Sequence, residues 1–514
     1  MYSWSSLILS ATVLVAQQCL GDSTSNFLTS TSSPADTCEF LYTAYPNITY
    51  LPGTPNYSAL NEDYFTASSW LGPACIFAPT SPEIMSFAVK TLVTTKVQFA
   101  VRGGGHMPIA GSNNINSTGI LLSSSGLKGL RLSADKSTVS VGPGNKWGDV
   151  YRFLDSEGLS AVGGRLGMVG VPGFLLGGGI SFFGNEYGWA SANMESIQAV
   201  LADGRIVVAT FHNLYSDLFW ALRGGANSFA IVTNFELKTV KAPVVTVGNV
   251  VYGPGQRDNF ISSVYDYAFD GVSDEKSAVI PNVHWSGTQP DSPFYASYLF
   301  YNGNNTQPAA LSNFTGGNLL GNLEDFKPQT MGEWGTITEA GGAQIHGLHF
   351  RFHIVSIVAN KEAMGIIHDT FLSLAKKHIA CVPGVGATLT FMPISRSFIT
   401  ANRGSSPRGD PMGIAVSKAP FIWVEESILF ARGEDEAIIT HFLDVANKEI
   451  QSKLKPLEVA ASYLYLNDAD KNQPVFQGYD SVNLERLRSI RGKYDPHKIF
   501  TKQMPGGFKV DDAF

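Results

Sequence analysis

The segment that most constrains this chain is a run of three glycines that ends on a histidine. Residues 102–106 read Arg-Gly-Gly-Gly-His and directly follow the alternating apolar residues 97–101. Three glycines leave backbone N–H groups free to face an anion, while Arg102 adds positive charge and His106 adds a nucleophilic ring nitrogen. Such a loop suits a pyrophosphate with a reactive group beside it, although a glycine run after a strand is also typical of a plain turn.

Further glycine-rich segments favour a ligand over a plain turn. Residues 163–173 read GGRLGMVGVPG, and residues 177–182 read GGGISF. Glycines at this density weaken an ordinary packed element, so they indicate backbone pressed against a ligand. Residues 201–207, LADGRIV, have the Asp-Gly signature of a hairpin, and residues 217–232 read DLFWALRGGANSFAIV.

Together with residues 494–500, YDPHKIF, this order of motifs resembles the berberine-bridge-enzyme-like FAD-linked oxidoreductases of the vanillyl-alcohol-oxidase superfamily, in particular the fungal secreted type. The resemblance spans about residues 70–510. It implies an α+β fold of two domains, a PCMH-type FAD-binding domain and an antiparallel substrate sheet backed by helices. The expected organisation is a signal peptide at 1–21, an N-terminal segment at 22–69, the FAD-binding domain at 70–242, the substrate-binding domain at 243–460 and a BBE-like C-terminal return to the FAD domain at 461–514.

Local patterns predict several elements of such a fold. A proline followed by apolar residues at helical spacing indicates a helix that starts at Pro82. A second helix is predicted over residues 145–158, with Gly158 as its end. The aromatic residues 294–301 and residues 350–358 are strand-like. Further helices are expected at 361–377 and 435–448.

The resemblance implies that His106 is bonded to the 8α-methyl carbon of the FAD isoalloxazine ring. Many relatives carry a second link from a cysteine three residues before a Val-Gly pair. That pair is Val169-Gly170 here, and Leu166 stands at the cysteine position, where it cannot form a thioether. We therefore expect a single covalent link through His106. The alternative is a turn histidine without a flavin bond.

The same resemblance implies which residues surround the remainder of FAD. Arg102 is expected to add positive charge near the pyrophosphate. The loops expected over the pyrophosphate carry Gly103, Gly104, Gly105, Gly111 and Ser112. Those expected beside the flavin and the ribityl chain carry Gly170, Gly173, Gly178 and Gly179. The backbone near Ile231 and Val232 is expected at the adenine end, and Asn467 near the flavin.

Flavin oxidation of a C–H bond needs hydride transfer and usually a base for the accompanying proton. Many relatives place a glutamate late in the substrate sheet, but the corresponding residues 391–409 contain no Asp or Glu. Relatives also show Tyr-x-Asn-Tyr-x-Asp near the C-terminus, and residues 465–470 read YLNDAD. Tyr465 and Asp468 are therefore the candidate catalytic residues. The alternatives are a hydrogen-bonded strand tyrosine and a helix-capping aspartate.

Four histidines are further candidates for the base, although a histidine on a sheet is more often simply hydrogen-bonded. They are His284, His346, His349 and His353.

Composition excludes some classes of function. A chain of 514 residues with 44% hydrophobic content is long enough for two domains with buried cores. A net charge of −7 with 15% charged residues leaves no basic surface for nucleic acid. The cysteine spacing does not suit zinc, so no metal site is expected. Cys38 and Cys75 can pair and leave Cys381 as a single thiol, or all three are reduced.

The N-terminus indicates export. Residues 1–16 contain a short apolar segment typical of a cleaved secretory signal rather than a membrane span, and no later segment is long and apolar enough to cross a bilayer. Five Asn-x-Ser/Thr sequons, at Asn47, Asn56, Asn116, Asn304 and Asn313, fit a glycoprotein. We expect a secreted protein or one that resides in the secretory pathway.

The resemblance leaves more than one function open. The first is an oxidase or dehydrogenase of secondary metabolism that oxidises a small natural-product-like substrate and passes electrons to molecular oxygen. The second is an oxidative cyclase or pericyclase-like enzyme in which FAD is partly structural. A carbohydrate oxidase is the third.

Overall fold

The computed structural model describes residues 32–270, 273–317, 319–406 and 408–512. The expected signal peptide at 1–21 lies outside the described residues and stays a prediction. The described chain builds three sheets, and each has its own set of covering helices.

The first sheet is small and mostly parallel. Its elements are α1 (Pro34–Ala44), β1 (Thr49–Tyr50), α2 (Pro55–Glu62), β2 (Cys75–Phe77), α3 (Pro82–Thr95), β3 (Gln98–Arg102) and β4 (Gly119–Ser123). The strand order is β1-β2-β4-β3, with β2 and β3 both parallel to β4. Helix α3 begins as predicted, because the Ser81 side chain caps it and Pro82 fits its first turn. A disulfide between Cys38 and Cys75 joins α1 to β2.

The second sheet is antiparallel. Its elements are β5 (Leu130–Leu132), β6 (Thr138–Val141), α4 (Trp147–Asp155), β7 (Leu159–Ala161), α5 (Val171–Leu176), α6 (Gly184–Tyr187), β8 (Met194–Val200), β9 (Ile206–Ala209), α7 (Ser216–Ala221) and β10 (Ile231–Lys241). The order is β5-β6-β10-β8-β9, and β7 also pairs with β10. The predicted Asp-Gly hairpin joins β8 to β9, with Gly204 at a φ of 80°. Helix α4 is a little shorter than predicted.

The third sheet has seven strands. Its elements are β11 (Val245–Gly253), α8 (Arg257–Asp270), β12 (Ser277–Ser286), β13 (Phe294–Tyr301), α9 (Ser312–Thr315), β14 (Lys327–Gln329), α10 (Met331–Gln344), β15 (His349–Val358), α11 (Lys361–His378), β16 (Gly386–Ile394), α12 (Arg396–Ser405), β17 (Phe421–Phe430) and α13 (Glu436–Leu454). All pairings are antiparallel, in the order β14-β11-β13-β12-β16-β17-β15. The strands and helices predicted between 294 and 448 are all present.

Helices cover one face of this sheet and leave the other open to the site. Apolar side chains of β12, β16 and β17, including Val283, Phe391 and Val424, pack with Phe371 of α11 and Phe442 of α13. Because side chains alternate along a strand, the intervening residues point to the opposite face. That face carries polar groups instead of a second helical layer.

The chain finally returns to the first sheet through α14 (Ser481–Tyr494) and α15 (Ile499–Lys502). The N–H of Phe99 on β3 donates to the carbonyl of Gln503, and Phe500 packs in the core under α3. Among the described residues, no helix combines the length and the apolar character needed to cross a bilayer.

We expect the disulfide to stabilise this N-terminal part of the fold. Replacing both Cys38 and Cys75 by alanine releases a crosslink between residues 37 apart in sequence, for which the typical loss is about 2–4 kcal/mol of unfolding free energy. The measurement is the thermal midpoint of the purified protein. Cys381→Ala, which removes an exposed free thiol, is the control and should leave the midpoint unchanged. Equal midpoints for the double variant and the wild type would contradict the expected stabilisation.

Candidate active site

A cavity of about 650 Å³ lies between the glycine-rich loops and the open face of the seven-stranded sheet. The loops contribute residues 103–107 and most of residues 164–177, and the C-terminal segments contribute 465–468 and 507–508. The sheet contributes alternating side chains of β12, β16 and β17, namely Asn282, His284, Thr388, Thr390, Glu425, Ser427 and Leu429. Phe65, Phe350 and Phe352 add an aromatic wall.

Two glycine loops cross each other in direct backbone contact at the cavity wall. A Cβ atom on Gly170 would lie 2.5 Å from the Cα of Gly104, and one on Gly104 would overlap Gly170 in turn. A side chain on Gly103 would likewise collide with the ring of Pro172. Gly173 is different, because no protein atom outside its own helix backbone lies within 4 Å of its Cβ position while it still lines the cavity. The crossing therefore requires glycine for packing, and Gly173 presents bare backbone to the cavity.

His106 lies at the end of the first loop with its ring against Phe65. The two ring centroids are 4.2 Å apart. Burial lowers the pKa of His106 to about 4, and the positive charge of Lys146 acts in the same direction. The imidazole is therefore neutral near pH 7, with a ring nitrogen free to react with an electrophilic carbon. Leu166 also lines the cavity.

Most of the predicted cofactor residues line this cavity. They are Gly103, Gly104, Gly105, His106, Ser112, Gly170, Gly173, Ile231, Val232 and Asn467. Arg102 and three of the predicted glycines do not line the cavity. Gly111 is adjacent to Ser112 but lies outside the cavity lining, and Gly178 and Gly179 accept hydrogen bonds from Ser191 and Ala190 in a turn behind it.

The structure does not place the predicted anion ligand Arg102 in the cavity lining. Its buried guanidinium donates to the carbonyl of Leu60 and to Ser123 Oγ, at 3.0 Å for the latter. A third contact reaches the carbonyl of Asp63 at 3.4 Å. Arg102 therefore holds the N-terminal segment against the first sheet, and its charge is already used there.

Tyr465 and Asn467 form a connected pair in the C-terminal turn. The hydroxyl of Tyr465 accepts hydrogen bonds from Asn467 Nδ2 at 2.9 Å and from the N–H of Ile180 at 3.1 Å. Its ring stacks with Trp189 and Trp423. Burial raises the pKa of Tyr465 above its ordinary value, so the phenol stays protonated. This environment suits a hydrogen-bonding residue better than a base.

Two carboxyl groups also line the cavity. Burial raises the pKa of Asp468 to about 7, against the opposing charge of Arg165. Burial, together with the negative charge of Asp468, raises the pKa of Glu425 well above its ordinary value. Asp468 Oδ2 is buried and has no hydrogen-bond partner among the described residues. The site thus holds one protonated acid beside one that ionises near neutral pH, the arrangement that acid–base chemistry uses.

Sequence reasoning missed Glu425 because it examined the neighbouring strand. Residues 391–409 belong to β16 and α12, whereas Glu425 lies on β17, opposite Thr390 in register. The signal was present as two adjacent acids inside the apolar run FIWVEESILF of residues 421–430. Strand alternation sends one acid to the cavity and the other, Glu426, to the helix-covered face, where Asn447 of α13 donates to it.

Of the four candidate histidines, only His284 lines the cavity. Its Nδ1 is 3.1 Å from Thr388 Oγ1, and burial lowers its pKa to about 4. His346, His349 and His353 are near Glu62, Ser68 and Glu426 respectively, outside the cavity. The described residues contain no cluster of three or more His, Cys, Asp or Glu suited to a metal ion.

Comparison with known proteins places the chain in a family. An FAD binding domain model matches residues 73–210. The chain is 32% identical over 489 residues to the FAD-dependent monooxygenase prx3 of Penicillium roqueforti, covering 93% of this chain and 94% of that protein. It is also 32% identical to the bifunctional solanapyrone synthase of Alternaria solani, covering 88% of this chain and 85% of the synthase.

Solved structures agree in fold. A variant of berberine bridge enzyme in complex with (S)-reticuline superposes with a TM-score of 0.71 at 17% identity, covering 93% of this chain and all of that one. The chain belongs to the berberine-bridge-enzyme-like FAD-linked oxidoreductases. The 6-hydroxy-D-nicotine oxidase of Arthrobacter nicotinovorans gives a TM-score of 0.73 at 19% identity over 90% and 97% of the two chains. Glucooligosaccharide oxidase of Acremonium strictum, described with a 6-S-cysteinyl, 8α-N1-histidyl FAD, gives 0.68 at 20% identity over 90% and 97%.

These comparisons confirm the predicted α+β, two-domain PCMH-type fold. The cavity of this berberine-bridge-enzyme-like protein also fits FAD. Bare glycine backbone at Gly173, a neutral His106 and the amide of Asn467 are residues that would hold the cofactor, and the apolar Ile231 and Val232 line the same space. When bound, FAD would supply the redox chemistry of an oxidoreductase.

Substitutions at three glycines separate packing from cofactor binding. We expect Gly104→Ala to destabilise the protein by roughly 1–3 kcal/mol through overpacking against Gly170. Gly173→Ala should keep or slightly raise the thermal midpoint while lowering the flavin content, because its new methyl group meets only the cavity. The measurements are the midpoint and the ratio of flavin to protein absorbance.

Gly129→Ala is the matched control, because Gly129 is exposed and has no atom within 4 Å of its Cβ position. Full flavin content in Gly173→Ala would show that FAD does not approach this backbone.

Proposed function

We propose that this enzyme oxidises a small oxygenated natural product, with Asp468 as the base and Glu425 as its protonated neighbour. In the proposed step the substrate C–H bond gives up a hydride, and the adjacent O–H or N–H gives its proton to Asp468. The carbon–oxygen or carbon–nitrogen single bond thereby becomes a double bond. The observation that carries this proposal is the pair of half-buried acids with raised pKa values at the cavity wall.

The environments of the two acids support different roles for them. A base works best when its pKa lies near the working pH, and burial raises the pKa of Asp468 to about 7. Its Oδ2 has no hydrogen bond among the described residues, so an acceptor is free for the substrate proton. Glu425, whose burial keeps it protonated, can donate a hydrogen bond to a substrate oxygen.

We propose that FAD is attached through a single covalent bond from a ring nitrogen of His106 to its 8α-methyl carbon. A neutral imidazole is the nucleophilic form, and burial lowers the pKa of His106 to about 4. Contact with Phe65 restricts the ring orientation. Leu166 lines the same cavity as a hydrocarbon, so a cysteinyl link of the kind named for glucooligosaccharide oxidase has no thiol at this position.

A cyclase-like role is the second candidate function. The relative named bifunctional solanapyrone synthase, 32% identical, supports it. Protonated Glu425 could then assist ring closure as a hydrogen-bond donor. Flavin reduction distinguishes the two, because oxidation bleaches the flavin in the absence of oxygen, whereas ring closure without oxidation leaves it unchanged.

We further propose that the protein is exported as a glycoprotein and that molecular oxygen is its final electron acceptor. The Cys38–Cys75 disulfide and the exposure of Asn47, Asn56 and Asn116 support export. Asn304 is exposed as well, whereas Asn313 is half-buried. A mobility shift after enzymatic removal of N-linked glycans tests glycosylation.

His106→Ala tests the covalent link. We expect the wild-type polypeptide to keep its flavin absorbance after acid precipitation, and the variant to release all of its flavin. The reason is that only the bond to His106 survives loss of the fold. His284→Ala, a cavity histidine on the opposite wall, is the control and should retain covalent flavin. Release of all flavin from the wild type would contradict the proposed link.

Asp468→Asn tests the base. We expect anaerobic flavin reduction by a substrate to slow by roughly 100 to 10,000-fold, the usual contribution of a general base. In the wild type the rate should rise with pH and level off above an apparent pKa near 7, because only the carboxylate accepts a proton. That rising limb should vanish in the variant.

Tyr465→Phe is the comparison, and we expect a loss below about tenfold because the Tyr465 phenol is not the base. A large loss in Tyr465→Phe with a small one in Asp468→Asn would reverse the two assignments.

A further inference from the structure

Arg165 lines the cavity without a close ion pair among the described residues. Its side chain reaches Met392 on β16, where Nη2 donates to the sulfur at 3.4 Å. Its backbone carbonyl accepts from Trp334 Nε1 at 2.8 Å, which fixes the main chain and leaves the guanidinium uninvolved. Within the described ranges, no carboxylate lies within 4.0 Å of the Arg165 nitrogens.

Neither cavity acid forms a close ion pair with Arg165. A carboxyl group in a close ion pair with arginine has a depressed pKa. Here the pKa values of Glu425 and Asp468 are both raised, because burial outweighs the attraction of Arg165. With Glu425 protonated and Asp468 only partly ionised near pH 7, negative charge on the two acids balances the positive charge of Arg165 only in part. A half-buried charge in this condition favours an anionic partner.

The neighbours of Arg165 place it at the sheet wall of the cavity. Met392 belongs to the seven-stranded sheet, and Trp334 of α10 packs edge to face against Tyr298 of β13 at 5.5 Å. Tyr298 itself lines the cavity. The polar sheet residues beside them already bond one another, as Thr390 does with Asn282. Arg165 therefore presents a positive charge to a ligand that binds against this face of the seven-stranded sheet.

Farther along the same cavity, aromatic side chains form a wall suited to a flat molecule. Phe350 lies opposite Leu429, six residues along β17 from Trp423, which lies opposite Met392. The rings of Phe65 and Phe350 lie 4.2 Å apart, and Phe352 stands 6.0 Å from Phe65. All three line the cavity. Flat conjugated ligands stack on such surfaces, and the planar guanidinium of arginine matches an oxygen pair in the plane of a ligand.

We propose that Arg165 binds a negatively charged oxygen of the substrate, so that the enzyme acts on small planar organic acids. The charged group is a carboxylate or an ionised enol conjugated to a ring. This inference rests on the proposed function, since it assigns a substrate class to the same cavity. Arg165 is a residue for binding and specificity, while Asp468 remains the base.

Titration calorimetry of the flavin-loaded protein at neutral pH tests this with matched pairs of probes. Benzoate is compared with benzamide, its neutral isostere. Dimedone, an ionised cyclic enol, is compared with isophorone, a neutral ring of similar shape. The first pair reports on a carboxylate and the second on an enolate. Each titration is carried out on the wild type, Arg165→Met, Arg165→Gln and Arg165→Lys.

We expect at least one anion to bind about tenfold more tightly than its neutral counterpart, as a charge-assisted contact provides. Arg165→Met and Arg165→Gln should reduce that preference to less than about twofold, while Arg165→Lys retains part of it. Arg205→Met is the control, because Arg205 lies in the exposed hairpin and pairs with Asp203, and it should retain the full preference. Two neutral variants are used so that loss of flavin in one leaves the comparison intact.

Several results would overturn the inference. One is equal affinity of the wild type for anions and neutral probes, and another is a preference that survives in both Arg165→Met and Arg165→Gln. A shifted flavin reduction potential with unchanged anion preference would instead place Arg165 against the cofactor. Flavin reduction by a neutral substrate, without anion preference, would overturn the substrate class and leave the proposed oxidation intact.

Discussion

The site depends on the contact between two glycine loops, because this contact brings the first and second sheets together at the cavity. Gly104 follows β3 and Gly170 precedes α5, and neither tolerates a Cβ where their backbones cross. The same crossing carries His106 and Leu166 into one cavity lining and leaves Gly173 open to the cavity. Close approach of backbones therefore defines one wall, so this wall owes its shape to main-chain geometry and little to side-chain rotamers.

Burial determines the charge states in the space that these loops enclose. It keeps His106 neutral, Glu425 protonated and Asp468 close to half-ionised near pH 7, against the opposing charge of Arg165 on the two acids. The raised and lowered pKa values affect the folding free energy in opposite directions. An unfolded Asp ionises with a pKa of about 4, so the raised pKa of Asp468 costs stability as pH rises from about 4 to about 7. An unfolded His ionises with a pKa of about 6.5, so the lowered pKa of His106 costs stability as pH falls from about 6.5 to about 4. These costs accompany a candidate base and a candidate hydrogen-bond donor that share one cavity.

The sequence was most informative where residues act through local patterns. The glycine loops, the Asp-Gly hairpin and the helix that starts at Pro82 follow from turn and capping preferences, and the ordered motifs indicated the family. It was least informative where partners are distant along the chain. Arg102 looked like an anion ligand because its hydrogen bonds to Leu60 and Ser123 have no local signature. Glu425 was missed because the register that sets β17 against β16 is a tertiary property.

Asp468 lies in an irregular turn, and contacts of the residues that follow the turn fix the position of this turn. The turn over residues 466–468 is a single 3₁₀ segment with little hydrogen bonding of its own. Just beyond it, Asp470 forms a buried ion pair with Arg351 of β15, and Gln473 bonds both backbone groups of Ile354 on the same strand. Breaking such a buried pair leaves an uncompensated charge, so the anchor is costly to release. The seven-stranded sheet thereby positions both acids. Glu425 lies on β17 itself, and Asp468 is held by the anchor to the adjacent strand β15. Their shared environment is for that reason a property of one rigid element.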